Sequence, residues 1–320
     1  MTNIGQSYIS VKKRKMRTKS SFFAVLVVLF ASIIISGCEK DDNGSDSQKG
    51  GINLYITDAP IDFSEIEGVY ITFTEIQYHD TGDGNWYSFD EFDGPVTINL
   101  LDYTRGESSL LGFFEMPAGN YSQIRFMLQA PERGQQGPPQ TPGSYLEFID
   151  GTTTSLFVPS GSQSGFKGVG SFSVSSTGIT EITADFDVRR SVVKAGASGR
   201  YILKPVIRLI VSGESGRIRG EVTNIPEETD ITVYAYEHGT YTSEEAAEPV
   251  EEEVRFPNAV NSDMVDEQNI YHLDFLAGGS YDLVVGASQD GEFIEVIGVI
   301  ESVEVVSGET TNQPIDIDEL

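Results

Sequence analysis

Short runs in which apolar and polar residues alternate are the sequence feature that most restricts the fold of this chain. Residues 69–78 and 121–128 are two such runs, and the dipeptide Asp83-Gly84 separates the first of them from the next apolar segment. Alternation with a period of two places apolar side chains on one face of a strand, and Asp-Gly is typical of a tight hairpin turn. Similar runs, bounded by turn residues, continue to the C-terminus. We therefore predict an all-β chain.

A stretch of Ser, Gly and Glu at residues 212–216 divides the predicted strands into two groups. It predicts two tandem β-sandwich-like domains, residues 52–211 and residues 216–320, and the chain is long enough for both. Within the first domain we expect a loop with a helical turn at residues 101–114, a helical turn at residues 191–195 and one strand at residues 201–211.

The first 37 residues have the three parts of an export signal. Six Lys or Arg residues lie between positions 12 and 19, an apolar run occupies residues 22–35, and Ser36-Gly37 precedes Cys38. The apolar run has 14 residues, which is shorter than the ~20 that cross a bilayer as a helix. We predict a signal peptide over residues 1–37 that is removed before Cys38. Translation starting at Met1 and translation starting at Met16 both agree with this pattern.

The segment Ile35-Ser36-Gly37-Cys38 resembles the lipobox of bacterial lipoproteins. The resemblance implies two acyl chains on the Cys38 thiol, and two chains anchor a protein stably in a membrane. Residues 38–51 contain no apolar residue after the cysteine, which predicts a flexible acidic tether. Within it, Lys40-Asp41-Asp42 resembles an acidic signal that sends lipoproteins of one group of two-membrane bacteria to the outer face of the outer membrane. We expect an outer-membrane lipoprotein at the cell surface, with the periplasmic face as the alternative.

Charge and cysteine content exclude several classes of function. Six of the 21 basic residues and none of the 49 acidic ones precede Cys38, so the chain from Cys38 onward has a formal charge of −34. Nucleic acid repels a chain this acidic, and we exclude it as a partner. Cys38 is the only cysteine, so lipid on its thiol leaves no intrachain disulfide and no thiol nucleophile. Packing alone must hold the fold together.

The sequence contains no pattern that is typical of an active site. Its three histidines, His79, His238 and His272, are far apart and lack the spacing of metal ligands. A Gly-x-Ser-x-Gly elbow and a glycine-rich phosphate loop are also missing. We therefore expect no catalytic residue, no metal ligand set, no cofactor and no enzyme activity. Ca²⁺ stays open as a ligand, because carboxylate oxygens bind it and acids are abundant.

Charged residues within apolar strands form the candidate site of the first domain. Arg125 and Arg208 lie among apolar residues, where an unpaired charge is costly. Asp185 and Asp187 are two residues apart in a predicted strand, so both are expected on one face. We predict that one of these arginines pairs with Asp58 or with one of the other two aspartates. The candidate set, either a structural charge network or a ligand site for Ca²⁺ or a sugar, is Asp58, Arg125, Lys167, Asp185, Asp187 and Arg208.

Five ordered stretches of the first domain carry a family resemblance. They are Thr57-Asp58-Ala59-Pro60, residues 116–125, residues 158–167, Asp185-Phe186-Asp187 and residues 201–208. Together they resemble the bacterial lipoprotein family named domain of unknown function 4382, over residues 52–211. The resemblance implies a β-domain of the cell envelope and supplies no catalytic residues. Residues 216–222 and 276–285 are similar to transthyretin-like or carboxypeptidase-regulatory-like β-sandwiches, which usually act as spacers or binding domains.

These observations predict a lipid-anchored protein of the cell surface that acts as a non-catalytic binding or structural module. Its expected partners are the membrane, through Cys38, and a glycan or another protein of the envelope. One alternative is a glycan-binding accessory protein of a nutrient-uptake system, in which rings such as Trp86 stack on sugars. An envelope hydrolase is a second alternative, which the missing nucleophile and base disfavour.

Overall fold

The computed structural model of this chain describes residues 48–58, 65–130, 143–158, 165–195, 200–250 and 253–320. The signal peptide, Cys38 and Lys40-Asp41-Asp42 lie outside the described residues, so the predictions made for them stay predictions. None of the helices in the described ranges is long and apolar enough to cross a membrane.

Residues 48–211, called here the N-terminal region, form thirteen strands and one α-helix in their described parts. The strands are β1 Lys49–Thr57, β2 Ile66–His79, β3 Trp86–Ser88, β4 Val96–Asn99, β5 Ser109–Pro117, β6 Gly119–Leu128, β7 Tyr145–Phe148, β8 Thr153–Ser155, β9 Phe166–Val174, β10 Ile179–Phe186, β11 Val192–Ala195, β12 Arg200–Leu203 and β13 Ile207–Val211. The helix α1 is Val188–Ser191, and Leu100–Asp102 forms a 3-10 turn.

One large sheet organises the N-terminal region. Its strand order is β5-β1-β10-β13-β9-β6-β2-β7-β8, with β3 and β4 also paired to β2, while β11 and β12 form a separate pair. The alternation found in the sequence sets the buried face, since Val69, Ile71 and Phe73 of β2 are all fully buried. Their side chains join those of Ile52 and Phe126 in one continuous hydrophobic core.

Residues 215–320, called here the C-terminal region, form two four-stranded sheets. The strands are β14 Ser215–Thr223, β15 Asp230–Glu237, β16 Asn261–Met264, β17 Ile270–Ala277, β18 Gly279–Gln289, β19 Glu292–Val305, β20 Thr310–Asn312 and β21 Ile315–Asp316. One sheet has the order β17-β14-β20, with β21 paired to β14, and the other has the order β16-β15-β18-β19. Side chains of both sheets meet in a second hydrophobic core that includes Ile218, Tyr271 and Leu283.

The prediction of an all-β chain with sandwich-like packing is confirmed. In the N-terminal region the large sheet and the β11–β12 pair enclose one core, and in the C-terminal region the two four-stranded sheets enclose another. The predicted boundary is a 3-10 turn, Ser212–Glu214, that leads directly into β14. Residues 48–320 nevertheless form one compact unit in the contacts between their Cα atoms. The two regions are therefore packed together, and their bounds as independent domains stay a prediction.

Three local predictions are corrected by the structure. The single strand predicted at residues 201–211 is divided into β12 and β13, because Pro205 between them has no N–H for a sheet hydrogen bond. The helical turn predicted at residues 191–195 lies earlier, as α1, and residues 192–195 pair with β12 instead. The loop predicted at residues 101–114 ends earlier, because residues 109–114 are part of β5, which pairs with β1, while the 3-10 turn Leu100–Asp102 lies where the helical turn was predicted.

Two further differences concern the ends of strands. The tether predicted to reach residue 51 stops before Lys49, where β1 begins. Gly50 and Gly51 fit this strand because Ser175 and Phe113 pack closely against their backbones. Asp187 is not part of a strand beside Asp185, because β10 ends at Phe186 and Asp187 is the N-cap of α1.

Candidate functional site

Buried charged side chains lie where the N-terminal region meets the C-terminal region. Carboxylates are rarely buried unless they are paired, so their burial marks a surface that a second element covers. Asp58, Asp185 and Asp187 on one side, and Asp263 and Asp274 on the other, are each at most 5% exposed. We call this group with its polar neighbours the polar junction. It consists of Asp58, Arg105, Asp185, Asp187, Arg208, Asn261, Asp263, His272 and Asp274.

The predicted pairing of Arg208 with an aspartate is present in the polar junction. Asp185 of β10 and Arg208 of β13 are directly opposite in an antiparallel pair. Arg208 Nε donates to Asp185 Oδ2 at 3.1 Å, and Nη2 donates to the same oxygen. Burial raises the pKa of Asp185, and the nearby Arg208 guanidinium opposes that shift. The arginine therefore compensates a carboxylate that the fold has taken out of water.

Asp58 and Asp187 hold the first turn of α1 and do not contact Arg208 in this way. Asp58 Oδ1 accepts a hydrogen bond from Val188 N at 2.9 Å. Asp187 Oδ1 accepts from Arg190 N at 2.9 Å, and its Oδ2 accepts from Arg190 Nε at 2.5 Å. Free N–H groups at a helix start favour carboxylates as caps. Both aspartates thus have a structural role that the sequence pattern did not separate from that of Asp185.

Arginines of the N-terminal region bind the C-terminal region directly. Arg105 Nε donates to Asp263 Oδ1 at 3.3 Å, its Nη1 donates to Asp266 Oδ2 at 3.1 Å, and its Nη2 donates to Met264 O at 2.8 Å. Asp263 Oδ2 also accepts from the backbone N of His272 at 2.8 Å. Burial raises the pKa of Asp263 to about 7, although Arg105 acts in the opposite direction. One guanidinium therefore connects two regions through three acceptors.

A second arginine contact lies beside α1. The guanidinium of Arg189, which is buried, donates to Arg255 O at 2.8 Å and to Phe256 O at 3.2 Å. Arg190 Nη1 donates to Pro257 O at 3.1 Å. Backbone carbonyls in this loop of the C-terminal region thus receive hydrogen bonds from charged donors, which are stronger than those from neutral donors. These contacts explain why the two regions form one compact unit.

A small cavity lies within the polar junction, with room for about one water molecule, roughly 10 Å³. Its polar lining includes Asp58, Arg105, Asp185, Asn261, His272 and Asp274. Among the described residues, Asp185 Oδ1 and both carboxylate oxygens of Asp274 are buried without a hydrogen-bond donor, although Arg217 Nε lies 3.3 Å from Asp274 Oδ1. Burial raises the pKa of Asp274, and Arg217 opposes this.

The described residues contain no group of three acidic, histidine or cysteine side chains that is arranged to hold a metal ion. Ca²⁺ normally takes six to eight oxygen ligands, several of them carboxylates. We therefore interpret the unpaired oxygens of Asp185 and Asp274 as a consequence of packing the two regions against each other, and not as a set of Ca²⁺ ligands. Ca²⁺ binding stays a prediction.

Replacing Gly106 with alanine should destabilise the chain by about 1–3 kcal/mol, because the contact at the polar junction leaves no space for a Cβ. Gly106 has φ +82°, and a Cβ there would lie 3.0–3.1 Å from the carboxylate of Asp274. Gly84→Ala is the matched control, since Gly84 has φ +76° and no neighbouring atom within 4 Å. Urea unfolding of both variants measures the two losses in stability, and their difference gives the effect of the contact with Asp274, since backbone strain is common to both. Equal losses in the two variants would show that the contact with Asp274 is not tight.

Arg125 and Lys167, the other two predicted site residues, lie away from the polar junction. Arg125 Cζ is 3.7 Å and Lys167 Nζ is 5.6 Å from the centroid of the Trp86 ring. The imidazole of His79 also contacts this ring, at 5.0 Å between centroids. We call Gln77, His79, Trp86, Arg125 and Lys167 the tryptophan patch. The predicted set of six residues is thus divided between two places in the fold.

The family model described as "Domain of unknown function (DUF4382)" matches residues 49–205, which include β1 to β12 and both predicted aspartates of β10 and α1. The match covers 157 of the 320 residues, so the chain is similar to this family over residues 49–205. The match confirms the resemblance seen in the sequence for the first domain, whereas the transthyretin-like resemblance of residues 216–320 is not confirmed.

No curated protein matches the chain. Among solved structures, the chain is similar to the minor pilin GBS52 of Streptococcus agalactiae, with 13% identity over 82% of this chain and 94% of that one, and a TM-score of 0.22. A putative carbohydrate binding protein of Pseudomonas aeruginosa has 15% identity, covers 33% of this chain and 91% of that one, and has a TM-score of 0.20.

The Bacillus anthracis TIE protein is a third similar structure, with 12% identity, 83% of this chain covered and a TM-score of 0.19. The chain spans about a third of its length, since 34% of that protein is covered. At such low identities and TM-scores, none of the three similarities carries an argument about the DUF4382 domain or about the C-terminal region.

Within the described residues, a serine, a histidine and an aspartate meet in the C-terminal region, but their arrangement is not that of a catalytic triad. His238 Nδ1 lies 2.7 Å from Asp282 Oδ1, and Ser302 Oγ lies 3.4 Å from the same ring nitrogen. In a catalytic triad the serine and the carboxylate bind opposite nitrogens of the histidine ring. One nitrogen then accepts the proton of the serine, while the carboxylate on the other nitrogen holds the ring in position. Asp282 raises the pKa of the exposed His238 through the hydrogen bond. This contact lies in the C-terminal region, outside the DUF4382 domain.

Sequence reasoning missed Arg105, Arg189, Asp263 and Asp274 as members of the contact between the DUF4382 domain and the C-terminal region. The partners Arg105 and Asp263 are 158 residues apart, so no local pattern relates them. Asp274 does carry a local signal, because it lies in the otherwise mostly apolar run from Tyr271 to Leu276. The same reasoning that selected Arg208 would have selected Asp274 as a charge that needs a partner.

Proposed function

We propose that the chain is exported, cut before Cys38 and anchored by lipid on that cysteine at the outer surface of the outer membrane. In this place it acts as a non-catalytic binding or structural module. The observation that carries the proposal is the segment Ile35-Ser36-Gly37-Cys38 behind a basic stretch and a 14-residue apolar run. Lys40-Asp41-Asp42 supports the outer surface as the destination, and the periplasmic face is the alternative.

A non-catalytic role is supported by the way in which buried charges are used. Asp58 and Asp187 cap α1, Asp185 pairs with Arg208, and Asp263 receives Arg105. Each of these contacts stabilises the fold or holds the two regions together. A catalytic carboxylate or histidine would instead face an open cleft with a partner suited to proton transfer. The tethered unit is therefore proposed to present surfaces to partners in the envelope.

Replacing Cys38 with serine is expected to release the protein from membranes. Without the thiol no thioether-linked lipid can form, so the stable anchor of two acyl chains is lost. The measurement is incorporation of an alkyne-labelled fatty acid, together with the distribution of the protein between membrane and soluble fractions. An unchanged label in Cys38→Ser would contradict the proposal.

Replacing Lys40, Asp41 and Asp42 together with alanine provides the matched control. This variant should keep the fatty acid label but lose its cleavage by protease added to intact cells. If the wild-type chain resists the protease in intact cells and is cut only after the outer membrane is opened, then the periplasmic alternative is correct.

A further inference from the structure

The tryptophan patch contains two positive charges that face each other across neighbouring strands. Arg125 of β6 and Lys167 of β9 are directly opposite in an antiparallel pair. Like charges in this position destabilise a sheet unless something compensates them. Within the described part of the chain, neither side chain forms an ion pair, although the mature chain is strongly acidic. Such a conflict between local charge and fold is typical of a binding surface.

Glu75, an acidic side chain that interacts electrostatically with Arg125, forms its hydrogen bonds with other residues. Glu75 Oε1 accepts hydrogen bonds from Gln77 Nε2 at 2.8 Å and from Ser88 Oγ. These hydrogen bonds lower the pKa of Glu75, which keeps it ionised, while Arg125 adds only a weaker contribution. Gln77 Oε1 in turn accepts from Arg125 Nη1 at 3.3 Å. Among the described residues, Glu75 therefore orients Arg125 through Gln77 and does not form a direct ion pair with it.

Packing holds Arg125 in position before any ligand arrives. On one side its guanidinium lies against the Trp86 ring, at 3.7 Å from the centroid. On the other side its aliphatic stem packs against Gly165, where a Cβ would lie 2.7 Å from Arg125 Cγ and 2.8 Å from Cδ. Gly165 has φ +65°, which glycine adopts without strain. A side chain fixed in this way loses little entropy on binding.

We propose that the tryptophan patch binds an acidic glycan, with Arg125 and Lys167 contacting a carboxylate or a sulfate group of the sugar. Arg125 Nη2 and the Lys167 ammonium have no hydrogen-bond acceptor among the described residues, and charge-assisted hydrogen bonds to oxyanions are among the stronger ones. Trp86 is half-buried, so part of its ring supplies an apolar surface next to the charges. This inference rests on the proposed binding role and names its ligand class.

A glycan fits this place better than a small free anion does. The patch lies on the outer surface of a sheet, with Lys167 exposed, and not in an enclosed pocket. An open surface binds a small anion weakly, whereas a polymer with repeated charges presents many binding positions to it. The overall negative charge repels every polyanion at long range, and a glycan with spaced acidic groups is repelled less than nucleic acid, which carries a charge on every unit.

Trp86 is the only tryptophan of the chain, so its fluorescence reports on the tryptophan patch alone. The full chain, purified in detergent, is titrated with oligogalacturonate, with a sulfated dextran and with neutral dextran. We expect a saturable change in fluorescence with at least one anionic probe, weakened by added salt, and no change with neutral dextran. The probe that binds more tightly distinguishes a carboxylate ligand from a sulfate ligand.

The variants decide which residues are responsible. Lys167→Gln and Arg125→Gln should each weaken binding about tenfold or more, because each removes one charge-assisted contact. Lys167 is exposed, so its replacement leaves the fold intact even if Arg125→Gln impairs folding. Lys194→Gln is the matched control, since Lys194 lies over Tyr201 and not over Trp86.

Three results would overturn the inference: no saturable change with either anionic probe, equal binding of neutral dextran, or unchanged binding by Lys167→Gln and Arg125→Gln. Calorimetry with the same probes checks that a silent fluorescence signal means no binding. Fatty acid labelling and protease access are independent readouts, so a failure of glycan binding leaves the proposed lipid anchor standing. Equally, the Cys38→Ser variant should bind the anionic probe as the wild type does.

Discussion

Replacing Arg208 with alanine is expected to lower the free energy of unfolding by about 3–5 kcal/mol at neutral pH. The change leaves the Asp185 carboxylate, which is 2% exposed, without its charged donor in the polar junction. Asp185 Oδ1 already lacks a hydrogen-bond donor in the described structure, so no second partner can replace the guanidinium. Burial already raises the pKa of Asp185, and removal of Arg208 should raise it further.

Urea unfolding followed by circular dichroism measures this loss. Arg219→Ala is the matched control, because Arg219 lies exposed on β14 with no ion pair in the described residues, and its loss should be within about 0.5 kcal/mol. The double change Asp185→Leu with Arg208→Met should recover much of the stability, since an apolar pair needs no compensating charge. A loss of less than about 1 kcal/mol in Arg208→Ala would show that water, and not Arg208, compensates the aspartate.

The fold class could be predicted from sequence because it depends on local periodicity. The alternating positions Val69, Ile71 and Phe73 specify one buried face of β2 whatever the partner strand is. The position of β5 could not be predicted, because Leu110 and Phe113 face outward and remain exposed, so the run lacks a clean alternation. Its pairing with β1, about sixty residues away in sequence, is a tertiary contact that no local pattern contains.

Only one part of the candidate site could be predicted from the sequence, namely the charged residues that lie within otherwise apolar strands. A charge in an apolar strand requires a partner, and this selected Arg208 and Asp185 correctly as a pair. Strand register then separated Arg125 and Lys167 from them and placed both beside Trp86. Register depends on the entire sheet, so the tryptophan patch could not be recognised from three distant positions in the sequence.

A second large effect is expected from pH, through Asp263 of the polar junction. Burial raises its pKa from the ordinary value of 3.8 to about 7, although the charge of Arg105 acts in the opposite direction. Between these two values the folded chain keeps a proton that the unfolded chain has lost. Stability therefore falls as the pH rises through this window, by roughly 4 kcal/mol in total at 1.36 kcal/mol for each pKa unit. Asp185 and Asp274 have pKa values raised by burial and act in the same direction.

Two other groups at or beside the polar junction, His272 and Asp266, make the folded chain more stable as the pH rises and so oppose the effect of Asp263. Burial lowers the pKa of His272 below its ordinary value of 6.5, so the unfolded chain binds a proton that the folded chain lacks, and stability falls on acidification through that value. Asp266, held by backbone N–H groups and by Arg105, has a lowered pKa and also favours higher pH. The contribution of Asp263 is therefore obtained from the difference between the wild type and Asp263→Asn.

Asp263→Asn cannot ionise, yet its amide oxygen can still accept from Arg105. The difference in unfolding free energy between the variant and the wild type should therefore move in favour of the variant by several kcal/mol as the pH rises from 4 to 8. Urea unfolding curves of both proteins, recorded at intervals of half a pH unit, give this difference directly. Arg105→Gln should shift the same transition to higher pH, because it removes the charge that favours the ionised carboxylate. A difference that stays constant with pH would mean that water reaches Asp263 in the folded chain, and that the contact between the two regions is open at the polar junction.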